Sequence, residues 1–266
     1  MRPNRIKQIW ADGGSVLNGW CSIASPFGAE IMAAQGYDSL CIDMQHGIVD
    51  YQAAVGMFQA MGSGVTPLAR VPWLDPAAIM KALDAGAYGV ICPMVNTAED
   101  AAKLVSCVRY PPHGQRSFGP TRALFSAGSD YGDRADDEVI CLAMIETREG
   151  FDNLEAIAAT PGLDGLYIGP ADLTLGLTGR RYPRGFDREE PEMVAAIQRI
   201  LNVAHAAGIK AALHCGSPAY AAKAVGWGFD MVTISNDVRL LAGAAGASVK
   251  SFREGVAAVP AGSTGY

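Results

Sequence analysis

The chain has 266 residues, half of them hydrophobic, and its 21 basic and 27 acidic residues give a formal charge of −6. This composition supplies a sizeable apolar core and excludes a disordered chain, and an acidic chain without clustered basic residues is a poor binder of nucleic acid. No signal-peptide pattern and no apolar run of about 18 residues occurs, so we expect a cytoplasmic protein without a membrane span.

Short apolar runs alternate with longer helical patterns along the chain. The runs are apolar throughout, which is typical of parallel strands buried on both faces. The predicted strands are 16–22, 39–43, 65–70, 88–92, 139–145, 164–168, 209–213 and 229–234. The predicted helices are 26–36, 51–61, 76–85, 97–107, 149–159, 190–207, 217–226 and 237–254.

Residues at the ends of the helical patterns support these boundaries. Asp75 followed by Pro76 is typical of a helix start, and so is Thr97 followed by acidic residues. Five glycines follow a helical pattern, where a left-handed cap is expected: Gly36, Gly86, Gly162, Gly208 and Gly226.

Eight strand-then-helix units predict an α/β fold, a (β/α)8 TIM barrel formed by residues 1–266 as a single domain. A doubly wound open sheet is the alternative, but no G-x-G-x-x-G motif follows the first strand. The long connection 109–136, rich in Pro, Gly, Ser and Arg, is expected to be an active-site or interface loop. Residues 256–266 are small and polar and are expected to fray.

The six cysteines form no C-x-x-C pair, and none has a histidine at zinc-site spacing. Cys21, Cys41, Cys92 and Cys141 lie in apolar runs. We therefore expect reduced thiols packed in the core of a cytosolic protein.

Polar residues stand at the carboxyl ends of four predicted strands, where the active sites of barrel enzymes lie. His46 follows the second strand, Arg70 ends the third, Glu146 follows the fifth and Asp172 follows the sixth. Each has an ordinary alternative, since an acidic residue there is often a helix cap and an arginine often forms a surface ion pair. Together they predict one site at the mouth of the barrel.

The carboxylates of this site suit a cation. Glu146 and Asp172 fit one divalent ion, Mg²⁺ or Mn²⁺, better than zinc, although Asp172 could simply start a helix. The segment Gly169–Asp172 opens a helix, and its backbone N–H groups predict a site for a carboxylate or phosphate.

His46 and Arg70 suit proton transfer and charge stabilisation. His46 is a candidate base, and either Asp84 or Asp43 could orient its ring. Arg70 keeps its proton at all working pH values and is therefore a candidate charge stabiliser.

Two other kinds of catalysis are disfavoured. A Schiff-base aldolase needs a lysine near the carboxyl end of a strand, but Lys210 begins its strand and the other lysines fall on helices or the N-terminus. Serine hydrolysis is disfavoured because no G-x-S-x-G motif occurs. His214 ends the seventh run and either faces the barrel mouth or is a structural histidine.

Six stretches of the sequence resemble the HpcH/HpaI family of metal-dependent, class II pyruvate aldolases, of the 4-hydroxy-2-oxoheptanedioate and 2-keto-3-deoxy-sugar-acid type. They run in order through most of the chain, and the combination of IET…IGPADL with D-M-Q-H-G is specific. The stretches are 28–47, 67–73, 84–96, 109–116, 144–173 and 228–238.

The resemblance implies a barrel that assembles into a homohexamer, a trimer of dimers, with its C-terminal helix exchanged between subunits. It implies that His46 is the catalytic base and that Asp84 is the acid that partners it. It also implies that Arg70 stabilises the enolate.

The resemblance further implies how metal and substrate bind. Glu146 and Asp172 match the metal ligands, and Trp20 matches an aromatic residue near the metal. The backbone from Gly169 through Pro170 and Ala171 to Asp172 matches the site for the pyruvyl carboxylate.

Two departures lie on the substrate side. Met144 stands two residues before Glu146 where members often carry Gln, and Ser117 follows Arg116 where Gly is usual. The resemblance therefore transfers the metal chemistry without transferring any one member's natural substrate.

The sequence predicts a divalent-metal-dependent aldolase, a carbon–carbon lyase without an organic cofactor. It would form or cleave 4-hydroxy-2-oxo acids through an enolate of pyruvate or hydroxypyruvate, with an aldehyde as the other partner. The alternatives are a β-decarboxylase of oxaloacetate or a CoA-ester lyase on the same site, and a non-catalytic barrel that binds a metal and a carboxylate.

Overall fold

Eight parallel strands close into a barrel in the computed structural model, which describes residues 1–257. Each strand pairs with the next along the chain and the last pairs with the first, so the predicted (β/α)8 barrel is confirmed. Each also overlaps a predicted strand. The strands are β1 (Val16–Cys21), β2 (Ser39–Asp43), β3 (Thr66–Arg70), β4 (Gly89–Cys92), β5 (Ile140–Ile145), β6 (Gly165–Ile168), β7 (Lys210–Cys215) and β8 (Met231–Ile234).

Helices follow the strands and surround the barrel. Those in the described residues are α1 (Arg5–Ala11), α2 (Pro26–Ala33), α3 (Tyr51–Ala60), α4 (Pro76–Asp84), α5 (Ala98–Val108), α6 (Ala123–Ala127), α7 (Tyr131–Glu138), α8 (Arg148–Asp152), α9 (Leu154–Ala158), α10 (Pro170–Thr178), α11 (Pro191–Ala206), α12 (Pro218–Trp227) and α13 (Asp237–Ala257). The tail 256–266, expected to fray, lies outside the described residues from position 258 onward.

The predicted helix starts are confirmed by their caps. The side chain of Asp75 accepts a hydrogen bond from the N–H of Ala77, and Pro76 is the first residue of α4. At the start of α5, Thr97 and Asp100 form a reciprocal capping box.

One predicted cap is wrong. Four of the five glycines expected to end helices do have positive φ, but Gly226 does not. Helix α12 continues to Trp227, whose ring packs edge-on against Tyr220 at 5.7 Å, and Gly228 with φ of 107° ends the helix instead.

Four other features differ from the predicted elements. Helix α10 was expected to start at Gly169–Asp172, but no predicted helix range covers its nine residues. Helix α1 was not predicted, because its seven residues are too few for an apolar period to show. The predicted loop 109–136 contains α6 and α7. The predicted helix 149–159 is divided at Asn153, whose side-chain amide donates to the carbonyl of Asn96 at 2.9 Å.

The apolar core has two layers. One lies between the strands and the outer helices, and the other fills the inside of the barrel. The inner layer extends from Trp20, Met144 and Tyr167 down to Ile6 and Trp10 of α1, which close the end of the barrel where the strands begin. No helix within residues 1–257 has the length and hydropathy that crossing a membrane requires.

Candidate active site

A cavity of about 380 Å³ opens at the carboxyl ends of the strands, and six of the predicted site residues line it: Trp20, His46, Arg70, Gly169, Ala171 and Asp172. They come from the ends of four different strands, because parallel strands of a barrel bring their carboxyl ends to one mouth. The lining residues are Trp20, Ser22, Asp43, His46, Arg70, Met144, Gly169, Ala171, Asp172, Phe186, His214, Asn236, Val238 and Arg239.

The floor of the cavity holds a buried ion pair between β2 and β3. Asp43 and Arg70 lie opposite one another in the strand register, and both end their strands. Arg70 donates from Nε to Oδ1 of Asp43 at 2.8 Å and from Nη2 to Oδ2 at 2.6 Å. Such a bidentate pair fixes the plane of the guanidinium, whose other N–H groups have no hydrogen-bond acceptor within residues 1–257 and can meet a ligand.

Charge and burial set the titration of this pair. Burial alone would raise the pKa of Asp43, but the hydrogen bonds and positive charge of Arg70 outweigh it and lower the pKa of that carboxyl. Burial opposes the charge of Arg70 too, yet Asp43 raises the pKa of Arg70. Trp20 donates from Nε1 to Asp43 at 3.2 Å, and its ring lies 4.9 Å from the guanidinium carbon of Arg70. Both charges therefore persist at the cavity floor.

His46 is carried by a tight turn after β2. Oδ1 of Asp43 accepts hydrogen bonds from the backbone N–H of Gln45 at 3.1 Å and of His46 at 3.2 Å. Any side chain on Gly47 would collide with the backbone of Asp43, so glycine is required there. The turn leaves the His46 side chain exposed at the cavity rim, where it can meet a substrate.

Glu146 is a buried carboxylate without a cationic hydrogen-bond partner in the described residues. Its side chain follows β5 and is only 3% exposed, and Oε1 accepts from the backbone N–H of Met94 at 2.9 Å. Met94 has a φ of 56°, a left-handed conformation that is uncommon outside glycine and that directs this N–H at the carboxylate. Burial, and to a lesser degree the charge of Asp172, raise the pKa of Glu146 to about 7.

The start of α10 lies beside Glu146. A Cβ on Gly169 would come within 2.6 Å of Oε2 of Glu146, so glycine allows this close approach of backbone to carboxylate. Pro170 is the first helical residue and is buried, and no side chain caps the helix. Asp172 lies in the first turn with an exposed side chain that lines the cavity.

Of the three predicted catalytic residues, His46 and Arg70 line the cavity, but Asp84 of the same chain lies apart from them. It ends α4, which runs back to the end of the barrel where the strands begin, and it is absent from the residues that line the cavity. Its carboxylate pairs with Arg116 at 2.7 Å, and Arg116 is buried between the rings of Tyr110 and Tyr131. Burial raises the pKa of Asp84, although Arg116 opposes that shift. No residue of the segment 109–136 is among the lining residues either.

For two residues of the cavity, Asp43 and His214, the sequence indicates a place near the mouth but not the contacts that the structure shows. Asp43 was considered only as a partner for the base, whereas the structure pairs it with Arg70. The adjacent strand ends of Asp43 and Arg70 are a signal that could have identified the pair. His214, for which two roles were left open, both lines the cavity and is hydrogen-bonded to Tyr167.

Asp172 lines the cavity, whereas Glu146 is not among the lining residues and lies directly behind Gly169 of the wall. Together these oxygen donors fit a hard divalent cation. No cluster of three or more His, Cys, Asp or Glu ligands occurs in residues 1–257, which disfavours a closed structural zinc site. Two carboxylates that leave most coordination positions to water and substrate are typical of Mg²⁺ sites. The buried, unpaired charge of Glu146 would be stabilised by such a cation.

The sequence matches a known protein family and is similar to proteins named as aldolases. A sequence profile of the HpcH/HpaI aldolase/citrate lyase family matches residues 18–244. The chain is similar to a hydroxypyruvate/pyruvate aldolase of Rhizorhabdus wittichii, with 42% identity over 91% of this chain and 96% of that protein. It is also similar to a 5-keto-4-deoxy-D-glucarate aldolase of Shigella dysenteriae, with 31% identity over 95% of this chain and 98% of that protein.

A solved structure shares the fold. The crystal structure of an HpcH/HpaI aldolase/citrate lyase family protein from Burkholderia cenocepacia matches with a TM-score of 0.85 and 33% sequence identity. The match covers 94% of this chain and 99% of the other. The likeness therefore includes the whole barrel and the mouth that carries the cavity.

Proposed function

The chain belongs to the HpcH/HpaI aldolase/citrate lyase family, and on that premise we propose that it is a divalent-metal-dependent aldolase acting on pyruvate or hydroxypyruvate. In one direction an enolate of the 2-oxo acid adds to an aldehyde, and in the other a 4-hydroxy-2-oxo acid is cleaved. The observation that carries the proposal is the cavity itself, where the Arg70–Asp43 pair lies at the same mouth as Glu146 and Asp172.

The two carboxylates are the proposed cation ligands. Oxygen donors at Glu146 and Asp172 suit Mg²⁺ or Mn²⁺. A divalent cation bound there supplies a Lewis acid that polarises the 2-oxo group of the substrate. Oε1 of Glu146 is fixed by the N–H of Met94, which leaves Oε2 as its freer oxygen.

The first turn of α10 is proposed to bind the substrate carboxylate. The N–H groups of Ala171 and Asp172 belong to the unpaired first turn of the helix, and the helix dipole favours an anion beside them. Pro170 contributes its rigid backbone and no N–H. This places the 2-oxo acid between the helix end and the carboxylates.

Arg70 and His46 are proposed to handle charge and protons. The guanidinium of Arg70 is held in place by Asp43, so its remaining N–H groups can stabilise the negative charge that develops on the enolate oxygen. The ring of His46 lies at the rim, where it can move the proton of the reacting carbon or of the new hydroxyl group.

The protein is proposed to act as a homohexamer, a trimer of dimers, with α13 exchanged between subunits. Helix α13 exposes apolar side chains that include Leu241 at 63% and Phe252 at 71%, which supports a covered position in an assembly. If Asp84 partners His46, it must do so from a neighbouring subunit, because one chain separates them. The aldehyde end of the substrate is proposed to reach the segment 109–136 of that neighbour.

We also propose a cytoplasmic location. All six cysteines are buried and form no disulfide, even though Cys21 and Cys41 lie on the paired strands β1 and β2. Free thiols are typical of reducing compartments, where they pack as small apolar side chains.

Proton exchange at the donor tests the proposal directly. We expect the protein to exchange the C3 protons of pyruvate or hydroxypyruvate in D₂O when Mg²⁺ or Mn²⁺ is present, because enolate formation labilises them. Removing the cation with EDTA should stop the exchange, and adding it back should restore it. The measurement is loss of the C3 proton NMR signal.

The other readings give different results. A non-catalytic barrel would bind a pyruvate analogue and exchange nothing, with either donor and either cation. An oxaloacetate decarboxylase would release CO₂ from oxaloacetate and leave 4-hydroxy-2-oxo acids intact. The aldolase names of the relatives favour neither of these alternatives.

A further inference from the structure

A line of hydrogen bonds runs through the inside of the barrel beneath the cavity and ends at His214. Ser39 bonds Asn18 at 2.8 Å, and Asn18 bonds Thr233 at 2.9 Å. Thr233 then bonds Tyr167 at 2.7 Å, and Tyr167 bonds Nδ1 of His214 at 2.9 Å. All five side chains are buried, so each group depends on these partners.

The line has a preferred direction. The Ser39 hydroxyl donates to Oδ1 of Asn18, and the Asn18 amide donates to Thr233. The Thr233 hydroxyl then has Tyr167 as its acceptor, so Tyr167 donates to Nδ1 of His214. The reverse direction would leave the hydroxyl hydrogen of Ser39 without an acceptor in the described residues, and an unmade buried hydrogen bond is costly.

This direction determines which ring nitrogen of His214 carries the proton. Burial, with help from the charge of Arg70, lowers the pKa of His214 to about 3, so the ring is neutral at ordinary pH. Since Nδ1 accepts from Tyr167, the single ring proton is on Nε2. The line therefore fixes one tautomer.

Nε2 faces the cavity. It has no hydrogen-bond partner in the described part of the chain. It is also not one of the fully buried polar atoms, so it is accessible from the cavity. His214 lines the cavity, and its ring packs edge-on against Trp20 at 4.8 Å and at a tilt of 34° against Phe186 at 4.7 Å. The cavity thus contains a neutral ring N–H donor held in a fixed orientation, beside the neutral side chains of Ser22 and Asn236 and the charged groups of the floor.

The neighbours of His214 place it on the side of the 2-oxo acid. Trp20, which contacts the His214 ring, bonds Asp43, and Asp43 holds the Arg70 proposed to stabilise the enolate. A neutral donor there suits an uncharged oxygen on the same substrate. Hydroxypyruvate carries such an oxygen on C3, and pyruvate does not.

We propose that His214 is a specificity-determining residue whose Nε2–H donates to the C3 hydroxyl of a 3-hydroxy-2-oxo acid, so that the enzyme prefers hydroxypyruvate over pyruvate as the donor. The proposal rests on the aldolase function proposed above. Tyr167 and Thr233 act through His214 and are positioning residues.

The test compares the two donors in single variants of the full-length, metal-loaded protein. We expect His214→Phe to lower the ratio of kcat/KM for hydroxypyruvate over pyruvate by about tenfold, the size of one lost hydrogen bond. His214→Gln, whose amide can place an N–H near Nε2, should recover part of that ratio. His205→Phe removes a histidine from the outer helix α11 and should leave the ratio unchanged.

Each outcome separates the two proposals. If the wild type turns over neither donor, the aldolase function fails and this inference fails with it. If the wild type uses both donors and His214→Phe leaves the ratio unchanged, or changes only the KM of the aldehyde, the role of His214 is overturned and the aldolase function stands.

The tautomer has its own measurement. Long-range ¹H–¹⁵N NMR of the histidine rings, with the His214 signal assigned from His214→Phe, should show a neutral ring protonated on Nε2 near pH 7. Tyr167→Phe should allow the other tautomer and lower the donor ratio in the same direction. A wild-type ring protonated on Nδ1 would overturn the proposed donor.

Discussion

At the scale of single residues, the cavity is organised by contacts between strand ends. Asp43 and Arg70 are neighbours only because of the register between β2 and β3. The residue pairs that a strand register brings together cannot be derived from the sequence alone. Polar residues at strand ends could be found from sequence, and this located His46, Arg70, Glu146 and Asp172. Which of them touch, and that Asp43 belongs with Arg70, depends on the closed barrel.

The Arg70–Asp43 pair leads to a prediction about charge stabilisation. Arg70→Lys keeps the positive charge but loses the planar, two-point contact with Asp43. We expect the rate of metal-dependent proton exchange to fall by about 10²–10³-fold, as when a fixed donor to a developing anion is lost. Cation affinity, measured by calorimetry, should stay close to the wild-type value because neither proposed ligand changes.

A matched control keeps this prediction specific. Arg199→Lys alters an exposed arginine that pairs with Glu155 on the outer helices, and it should leave exchange unaffected. An Arg70→Lys variant that exchanges at the wild-type rate would contradict the role assigned to Arg70.

At the scale of elements, continuous apolar runs predicted the strands better than the spacing of apolar residues predicted the helices. All eight strands were found because burial on both faces makes them continuous apolar runs. The elements that were missed or misjudged are short: α1, α6, α7 and α10 span nine residues or fewer, and the break between α8 and α9 depends on a tertiary bond from Asn153. Short helices are stabilised by packing, which leaves little trace in local sequence.

Asp230 shows how such elements are joined at the end of the barrel away from the cavity. Its carboxylate accepts from Lys210 at 2.8 Å and from the N–H of Ala211 at 3.0 Å, and it contacts Nε2 of His205 at 2.8 Å. Burial alone would raise the pKa of Asp230, but these hydrogen bonds outweigh it and lower the pKa. One side chain thus ties β7, β8 and α11 together.

The lowered pKa of Asp230 gives a pH-dependent prediction. Its contribution to stability is complete above the pKa of the unfolded chain and is lost as pH falls through the lower folded value. We expect Asp230→Asn to reduce the free energy of unfolding at pH 7 by about 1–3 kcal/mol. The difference from wild type should shrink as pH falls below about 4.

Urea unfolding at a fixed protein concentration over a series of pH values measures this difference. Proton exchange at pH 7 serves as the control and should be unaffected, because Asp230 is far from the cavity mouth. A difference that grows toward acid pH would show that the sign of the shift is wrong.

At the scale of the whole molecule, the positions of Asp84 and His46 are at odds with a complete site in one chain. Asp84 lies with Arg116 near the end where the strands begin, and His46 lies at the rim of the mouth. An assembly in which one subunit's Asp84 reaches another's mouth reconciles the two positions. The proposed hexamer would then be a requirement for activity.

Mixed assemblies test this requirement. His46→Ala and Asp84→Ala should each lose most of their activity. Hexamers formed from both variants should regain part of it, because some sites then combine an intact His46 with an intact Asp84 from the neighbour. Native mass spectrometry confirms the mixing, and mixed hexamers that stay inactive would contradict a shared site.

The seal formed by α1 has a consequence for the order of events. Because Ile6 and Trp10 close one end of the barrel and the inner layer is packed up to Trp20, the cavity within residues 1–257 opens at the carboxyl ends of the strands and not at the opposite end. In the addition direction the 2-oxo acid at the floor must then bind before the aldehyde, and in the cleavage direction it must leave after the aldehyde. Substrate binding is therefore ordered. Excess aldehyde should inhibit turnover because it blocks the path of the 2-oxo acid, whereas excess 2-oxo acid should not inhibit.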